Sequence, residues 1–566
     1  VWVRTMWDLR ARSRLQSRFR GCAVKKSMDL QVNRIDMYRP KFLASALVPI
    51  VLLTLVQFSS ALAGLQPFGV HLAFGEKPGQ MVVMWHTMLP TQASTVEYAP
   101  LDVGDMVSGP TDEQIGSARE HPVARRLLMT GEESHDVGGF PYSVQGVNWN
   151  FTDGGPLKSS QVLHRVVIEH LEPGKKYKYH VGNQQDGWSS VFTFTAKRSL
   201  EQIEGDAVRI LAYCDMGDIH SLTLADVQED VQSHFYDFLL HCGDLAYDFW
   251  TADGQVGMDF MREIQSVAAY LPYMVSPGNH EQPYNFSHYV NYFSMPGWES
   301  AQNMFYSYDV GNVHVVSYNT EVFFFPESWS VADMERQYRW LKADLEAANQ
   351  NRKQRPWIIV TGHRPMYCVV ATEEARCDGE HEISRTGTPA VCQANAHDCK
   401  ASPNSSTTFP IEDLFYQYGV DLAIYGHVHD YERYFPVYNH KLTNDPSDEP
   451  YFNPRGTVHF TSGAGGNPEM PVGDLPPPQG NCHSSPDHWC AYQSGYFPQN
   501  GQSADFTYTH LTVHNNTHLH WSQWSSTLQK VTDEVWIVQH NHGSFGVPAS
   551  QKLPENPNEP SFQTNN

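Results

Sequence analysis

VRILAYCDMGD at Val208–Asp218 and FLLHCGDLAY at Phe238–Tyr247 decide the fold of the larger part of this chain. Each is a continuous apolar run that ends abruptly at an acidic residue, Asp215 in one and Asp244 in the other. Continuous rather than alternating apolarity is the pattern of a strand covered on both faces. Between the two runs, Leu222–His234 has helical spacing. The same kind of run recurs in PYMVSPGNH (Pro272–His280), HVVSYNT (His314–Thr320), WIIVTGH (Trp357–His363) and DLAIYGH (Asp421–His427). Ala332–Gln350 is an amphipathic helix ahead of one of them. Short buried strands alternating with helices predict a largely parallel sheet covered by helices. GTVHFTSGAGG (Gly456–Gly466) and FTYTHLTVHNNTHLHW (Phe506–Trp521) are expected to add antiparallel strands to the same domain.

Upstream, residues 64–200 are expected to be all-β. MVVMWHT (Met81–Thr87) and STVEYA (Ser94–Ala99) are short strands. In HRVVIEHLEPGKKYKYHVGN (His164–Asn183) a strand meets a Pro-Gly turn and then alternating Tyr177, Tyr179 and Val181. That segment resembles the tyrosine corner of a fibronectin type III sandwich, which SVFTFTA (Ser190–Ala196) would close.

The net charge of −23 speaks against sequence-independent nucleic-acid binding, which relies on Lys and Arg against phosphate. It does not exclude small phosphate esters, because bound cations can dominate a local field. Near the start, basic Arg39 and Lys41 precede the apolar run Phe42–Phe58, which ends in a small-residue stop at Ala61 and Ala63. This is the pattern of a secretory signal peptide. Residues 1–36 then read as an upstream or non-native leader and 37–63 as the signal, starting at Met37 or Met28 and cleaved after Ala63. The mature form is expected to be secreted or lumenal, with no membrane segment. Cys22 falls in the leader. Cys368, Cys377, Cys392 and Cys399 share one loop-like stretch, and Cys482 lies near Cys490, so these six are expected to staple loops. Cys214 and Cys242, in buried-strand patterns, are expected to be free or buried. Asn150, Asn285, Asn404 and Asn515 open glycosylation motifs. Residues 550–566 are Pro- and Asn-rich and read as a flexible tail.

Five strand ends carry metal-type ligands: Asp215, Gly243-Asp244-Leu245-Ala246-Tyr247, Gly278-Asn279-His280-Glu281, Gly362-His363-Arg364-Pro365 and Gly426-His427-Val428-His429. One such block means little. Five in order, each behind an apolar run, crowd carboxylate, amide and imidazole groups at one sheet edge, where burial without compensation is costly. Metal ions supply the compensation.

These blocks resemble the purple acid phosphatase branch of the calcineurin-like metallophosphoesterases, over about residues 206–545. Residues 64–200 resemble the fibronectin-like domain of its large plant-type members. The resemblance implies an N-terminal all-β sandwich plus an α/β catalytic domain of two mixed β-sheets flanked by helices. It also implies a division of ligands: Asp215, Tyr247 and His429 on a ferric ion, and Asn279, His363 and His427 on a divalent zinc, iron or manganese ion, with Asp244 bridging. A phenolate favours iron(III), whereas imidazole and amide suit a borderline divalent ion. The reaction implied is hydrolysis of phosphate monoesters by attack of metal-bound hydroxide, at acidic pH. His280 would face the substrate phosphate and leaving group, oriented by Glu281.

One departure concerns the leaving group. Plant-type members carry a His-His pair about ten residues after the fourth-block histidine; here that stretch is Ala371-Thr372-Glu373-Glu374. His381 and His397 are the remaining candidates for that role, and the HRPMYC segment (His363–Cys368) resembles another subgroup that includes animal members. The alternative reaction on the same core is that of a phosphodiesterase or nucleotide pyrophosphatase. An alternative of another class is an inactive secreted binding glycoprotein, against which the complete ligand set argues. The partners expected are small phosphate esters, with oligomeric state open and a homodimer among the options.

Overall fold

The computed structural model describes residues 63–550, apart from 102–138, 204–205, 370–376, 393–398, 403–407, 478–481, 483–488, 496–500 and 549. The leader, most of the signal segment with Cys22, Ala371–Glu374, His397, Asn404 and the tail beyond residue 550 lie outside the described residues.

The first part is a sandwich of two antiparallel sheets. One runs Phe68–Phe74, Met81–Thr87, Ser160–Ile168, Val147–Thr152 in spatial order. The other runs Tyr142–Gln145, Thr95–Pro100, Lys176–Asn183, Gly187–Trp188, with Phe192–Thr195 also paired to Lys176–Asn183. Alternation along KYKYHVGN turns Tyr177, Tyr179 and Val181 inward. Tyr177 Oη accepts a hydrogen bond from the Glu172 amide at 3.0 Å, the tie across the turn that defines a tyrosine corner. The inner tyrosine also anchors the sandwich to the next domain, since Tyr179 Oη donates to Ala269 O at 2.7 Å.

The larger domain contains two mixed sheets. In the first, Val208–Tyr213, Phe238–Cys242 and Tyr273–Ser276 are parallel neighbours, and Thr507–Val513, His518–Ser525 and Lys530–Val538 extend it antiparallel from Val208–Tyr213. In the second, Val313–Ser317, Trp357–Thr361, Leu422–Tyr425 and Val458–Ser462 run parallel, flanked by antiparallel Tyr306–Val310, Tyr431–Tyr434 and Cys490–Ser494. The strand at Val458–Ser462 therefore differs from expectation: it is parallel to Leu422–Tyr425 and antiparallel only to Tyr431–Tyr434. An apolar run reports burial on both faces and is silent on direction. The helix at Val331–Gln350 begins at Ser330, whose hydroxyl accepts from the Asp333 amide while Asp333 reaches back to the Ser330 amide.

The cysteines divide as follows. Cys214 and Cys242 are buried but not free. Their strands pair in parallel with Tyr213 opposite His241, so the next residues stand side by side, 4.7 Å apart at Cα, and form a disulfide. Cys482 is bonded to Cys490, and Cys368 is also half of a disulfide. Cys392 and Cys399 are register partners in a two-stranded ribbon. Among the described residues no helix is long and apolar enough to cross a membrane.

Candidate metal centre

The parallel strands end where the seven expected ligands begin. Asp215, Asp244 and Asn279 follow three neighbouring strands of the first sheet, and His363 and His427 follow two neighbours of the second. Ligand groups beyond the carboxyl ends of parallel strands are the usual consequence of this architecture. The glycines before them serve close approach. A Cβ on Gly243, itself at φ +91°, would run into the His363 ring, and one on Gly426 would run into the Asp215 carboxylate. Asp215, Asp244, Tyr247 and His427 all adopt positive φ, between 50° and 68°. Four non-glycine residues in that region carry strain that the surrounding structure must hold, a habit of functional sites.

The donor atoms gather in two adjoining groups. In one, Tyr247 Oη lies 3.1 Å from Asp215 Oδ1 and 2.7 Å from His429 Nε2. In the other, His363 Nε2 lies 3.1 Å from Asn279 Oδ1 and 3.0 Å from Asp244 Oδ2, with His427 in the same cluster. The two groups are tied by the His427 amide, which donates to Asp215 Oδ2 at 2.9 Å.

The surroundings suit cations. His363 Nδ1 lies 3.0 Å from Cys242 O, a carbonyl that can only accept, so Nδ1 carries a proton and Nε2 is the nitrogen turned to the cluster, where an ion would take the place of its proton. Fixing the tautomer of a ligand histidine in this way is standard for metal sites. Burial, then the Asp215 and Asp244 carboxylates, push the Tyr247 phenol well above its ordinary pKa. Two buried carboxylates and a phenol crowded together fit a site built around positive charge.

His280 stands at the edge of the cluster. Its amide donates to Asp244 Oδ1 at 2.9 Å, and its ring centroid lies 4.3 Å from that of Tyr247. Burial disfavours the charged ring, but Asp244 and Asp248 outweigh it and raise its pKa to about 9. The residue that orients it is Asp248, whose Oδ1 lies 3.1 Å from His280 Nδ1. This corrects the role expected of Glu281, whose carboxylate instead accepts from the amides of Asp244, Leu245 and Gly278 at 2.8–2.9 Å. Glu281 thus braces two ligand-bearing turns against each other. His381 is not among the clustered ligands either; it stands with Glu382 and His440.

Sequence reasoning missed a buried network behind His427. Arg364 pairs with Glu321 and Glu380, and both Arg364 Nη1 and Glu380 Oε2 lie 2.9 Å from His427 Nε2. Adjacency could have flagged Arg364, next to His363, and Asp248, next to Tyr247. Glu380 lies in the cysteine-rich stretch and offers no such signal. The exposed motif residues Asn150, Asn285 and Asn515 lie outside this centre.

Comparison with known proteins bears on all of this. Residues 215–431 match the calcineurin-like phosphoesterase family, residues 67–196 the purple acid phosphatase N-terminal domain, and residues 456–534 the iron/zinc purple acid phosphatase-like protein C family. The chain is 35% identical to acid phosphatase type 7 of Danio rerio over 86% of its length and 94% of the relative's. It is 36% identical to the Homo sapiens protein of that name, over 86% and 93%. It is 29% identical to purple acid phosphatase 22 of Arabidopsis thaliana, over 69% and 76%. In fold it is similar to a purple acid phosphatase from yellow lupin (Lupinus luteus) seeds, with a TM-score of 0.59 at 19% identity, covering 84% of this chain and 74% of that one. With identity at this level across nearly the whole length of its relatives, the chain belongs to the purple acid phosphatase family of calcineurin-like phosphoesterases.

Proposed function

We propose that this protein is a secreted acid phosphatase that hydrolyses phosphate monoesters at a dinuclear centre of iron(III) and a divalent ion, zinc, iron or manganese. The observation that carries the reading is the convergence of seven donors from five strand ends into two adjoining groups. Asp215, Tyr247 and His429 would hold the ferric ion, Asn279, His363 and His427 the divalent one, and Asp244 both. When bound, such a pair supplies Lewis acidity to the phosphoryl oxygens and acidifies the attacking water.

The chain's own residues do the rest. His280, partly exposed at the rim, holds a proton that can be delivered to the departing alkoxide. Asp248 fixes the ring through Nδ1, leaving Nε2 for that transfer. Glu281 fixes the amides of Asp244 and Leu245, so the Asp244 carboxylate keeps its aim as charge develops. Arg364 and Glu380 hold the His427 ring.

Metal analysis and a visible spectrum of the purified protein, repeated for Tyr247→Phe, test the reading. A violet phenolate-to-iron charge-transfer band is expected in the native protein and absent in the variant. A colourless, zinc-only, fully active enzyme would refute the ferric assignment. Faster cleavage of a diester than a monoester would refute the substrate class. Secretion is supported by the exposed motif residues Asn150, Asn285 and Asn515. Treatment of the cell-expressed protein with a peptide N-glycosidase should lower its apparent mass.

A further inference from the structure

We propose that His381, Glu382 and His440 form a second, separate metal site that takes a single divalent transition ion such as zinc. His381 and Glu382 lie on the helix Cys377–Thr386, and His440 sits at the turn between the short strands Val437–Tyr438 and Lys441–Leu442. Each offers one donor atom, and the three donors lie within 4.8 Å of one another. The set, two imidazoles and a carboxylate, is one that zinc takes with water in the fourth position.

The spacing of these donors also suits an ion. His440 Nε2 and Glu382 Oε2 stand 3.4 Å apart. They form a long hydrogen bond, beyond the usual N–H···O range of about 3.2 Å. Their separation equals the edge, about 3.4 Å, of a tetrahedron whose ligands lie about 2.1 Å from zinc. The rings of His381 and His440 are 6.0 Å apart and nearly perpendicular. Arg385 also reaches Glu382 Oε2, at 3.0 Å, but its charge is shared with buried Glu412. Partial exposure of Glu382 and His440 leaves a path for a hydrated ion.

The site has a structural consequence. Glu380, on the same helix, reaches inward to His427 and Arg364. His440 rests against Trp489, whose ring centroid is 5.1 Å away, next to the Cys482–Cys490 disulfide. An ion held by His381, Glu382 and His440 therefore clamps the helix to a braced hairpin and keeps Glu380 in place behind His427. The site is independent of the ions proposed for the main centre and is counted in addition to whatever metal the protein carries as isolated.

Calorimetric titration of the isolated protein with Zn²⁺ alone, with metal content measured before and after, tests this. One further ion per chain is expected in the native protein. It should be lost, or bound at least about tenfold more weakly, in both His440→Asn and Glu382→Gln, while the metal present at isolation stays unchanged. His440 is exposed at φ +57°, a conformation asparagine tolerates, and Gln keeps the shape of Glu382, so both variants are expected to fold. Absence of a further ion in the native protein, or its undiminished retention by either variant, would overturn the proposal.

Discussion

The seam between the sandwich and the phosphoesterase domain should weaken as pH falls, and His86→Gln should reduce that dependence. His71 and His86 lie on the sandwich strands Phe68–Phe74 and Met81–Thr87 and are almost completely buried. Their rings pack edge-on against Phe293 and Tyr292 of the larger domain. His71 Nδ1 bonds to Gly69 O and His86 Nδ1 to Gln161 Oε1, while both Nε2 atoms are buried without a hydrogen-bond partner. The groups facing His86 are the His71 and His164 rings and the Arg262 guanidinium, and each opposes a positive charge on it. Burial is the main cause that lowers His71 to about 4 and His86 to about 3. Because these folded values lie below the unfolded value, the stability contribution is complete above pH 6.5 and is lost as pH falls through the folded values. At about 1.36 kcal/mol per unit, each ring costs about 2 kcal/mol at pH 5, and the pair about 4 kcal/mol. That is a large share of a typical stability of about 5–15 kcal/mol. Urea unfolding from pH 7 to pH 4.5 measures it. The Gln variant starts from a lower stability, but its slope should be shallower by about 1.4 kcal/mol per pH unit, the loss of one linked proton. An unchanged slope would refute the argument, because it would mean that His86 is protonated equally in both states.

Asp248→Asn should lower kcat by about 10–100-fold with metal content unchanged, as steady-state assays with parallel metal analysis would show; an unaltered kcat would mean that His280 does not need its Nδ1 partner. Arg364→Ala should destabilise the fold by about 3–5 kcal/mol in urea, since it leaves Glu321 and Glu380 buried without their guanidinium. Cys482→Ser opens a loop of sequence separation 8. Loop-closure entropy predicts a cost of about 2.5 kcal/mol, measured by the same unfolding.

The candidate site was legible in the sequence because the chemistry proposed for it sets polar groups at the ends of runs that are otherwise apolar. Asp215, Asp244, Asn279, His363 and His427 each stand just past the end of such a run, and it is their recurrence in order that marks the candidate site. Topology was less legible. The Val458–Ser462 strand has the same apolar character whichever way it runs, and its direction is set by pairing with strands distant in sequence, Leu422–Tyr425 on one side and Tyr431–Tyr434 on the other. The Cys214–Cys242 pairing has the same origin: it depends on two strands being adjacent and parallel in one register, which neither cysteine's local pattern encodes. Glu281 was misread for a different reason. Sequence adjacency to His280 suggested a partnership, but from the third position of the short helix Asn279–Glu281 its carboxylate turns back onto the amides of Gly278 and Asp244.

The distribution of donors between the sheets explains why the two halves of the larger domain act as one unit. Asp215 and Tyr247 come from the first sheet and their companion His429 from the second. Asn279 comes from the first sheet and its companions His363 and His427 from the second. Each proposed ion would draw donors from both sheets and, if bound, would tie them together. Contacts between the sheets already join the same residues: the His427 amide on Asp215, His363 Nδ1 on Cys242 O, and Asp244 against His363. Glycines at 243 and 426 are what let those contacts form, since a side chain at either position would hold the sheets apart. The Gly-ligand pairs that marked the candidate site in the sequence are therefore also the residues that let two sheets meet closely enough to share the proposed metal centre.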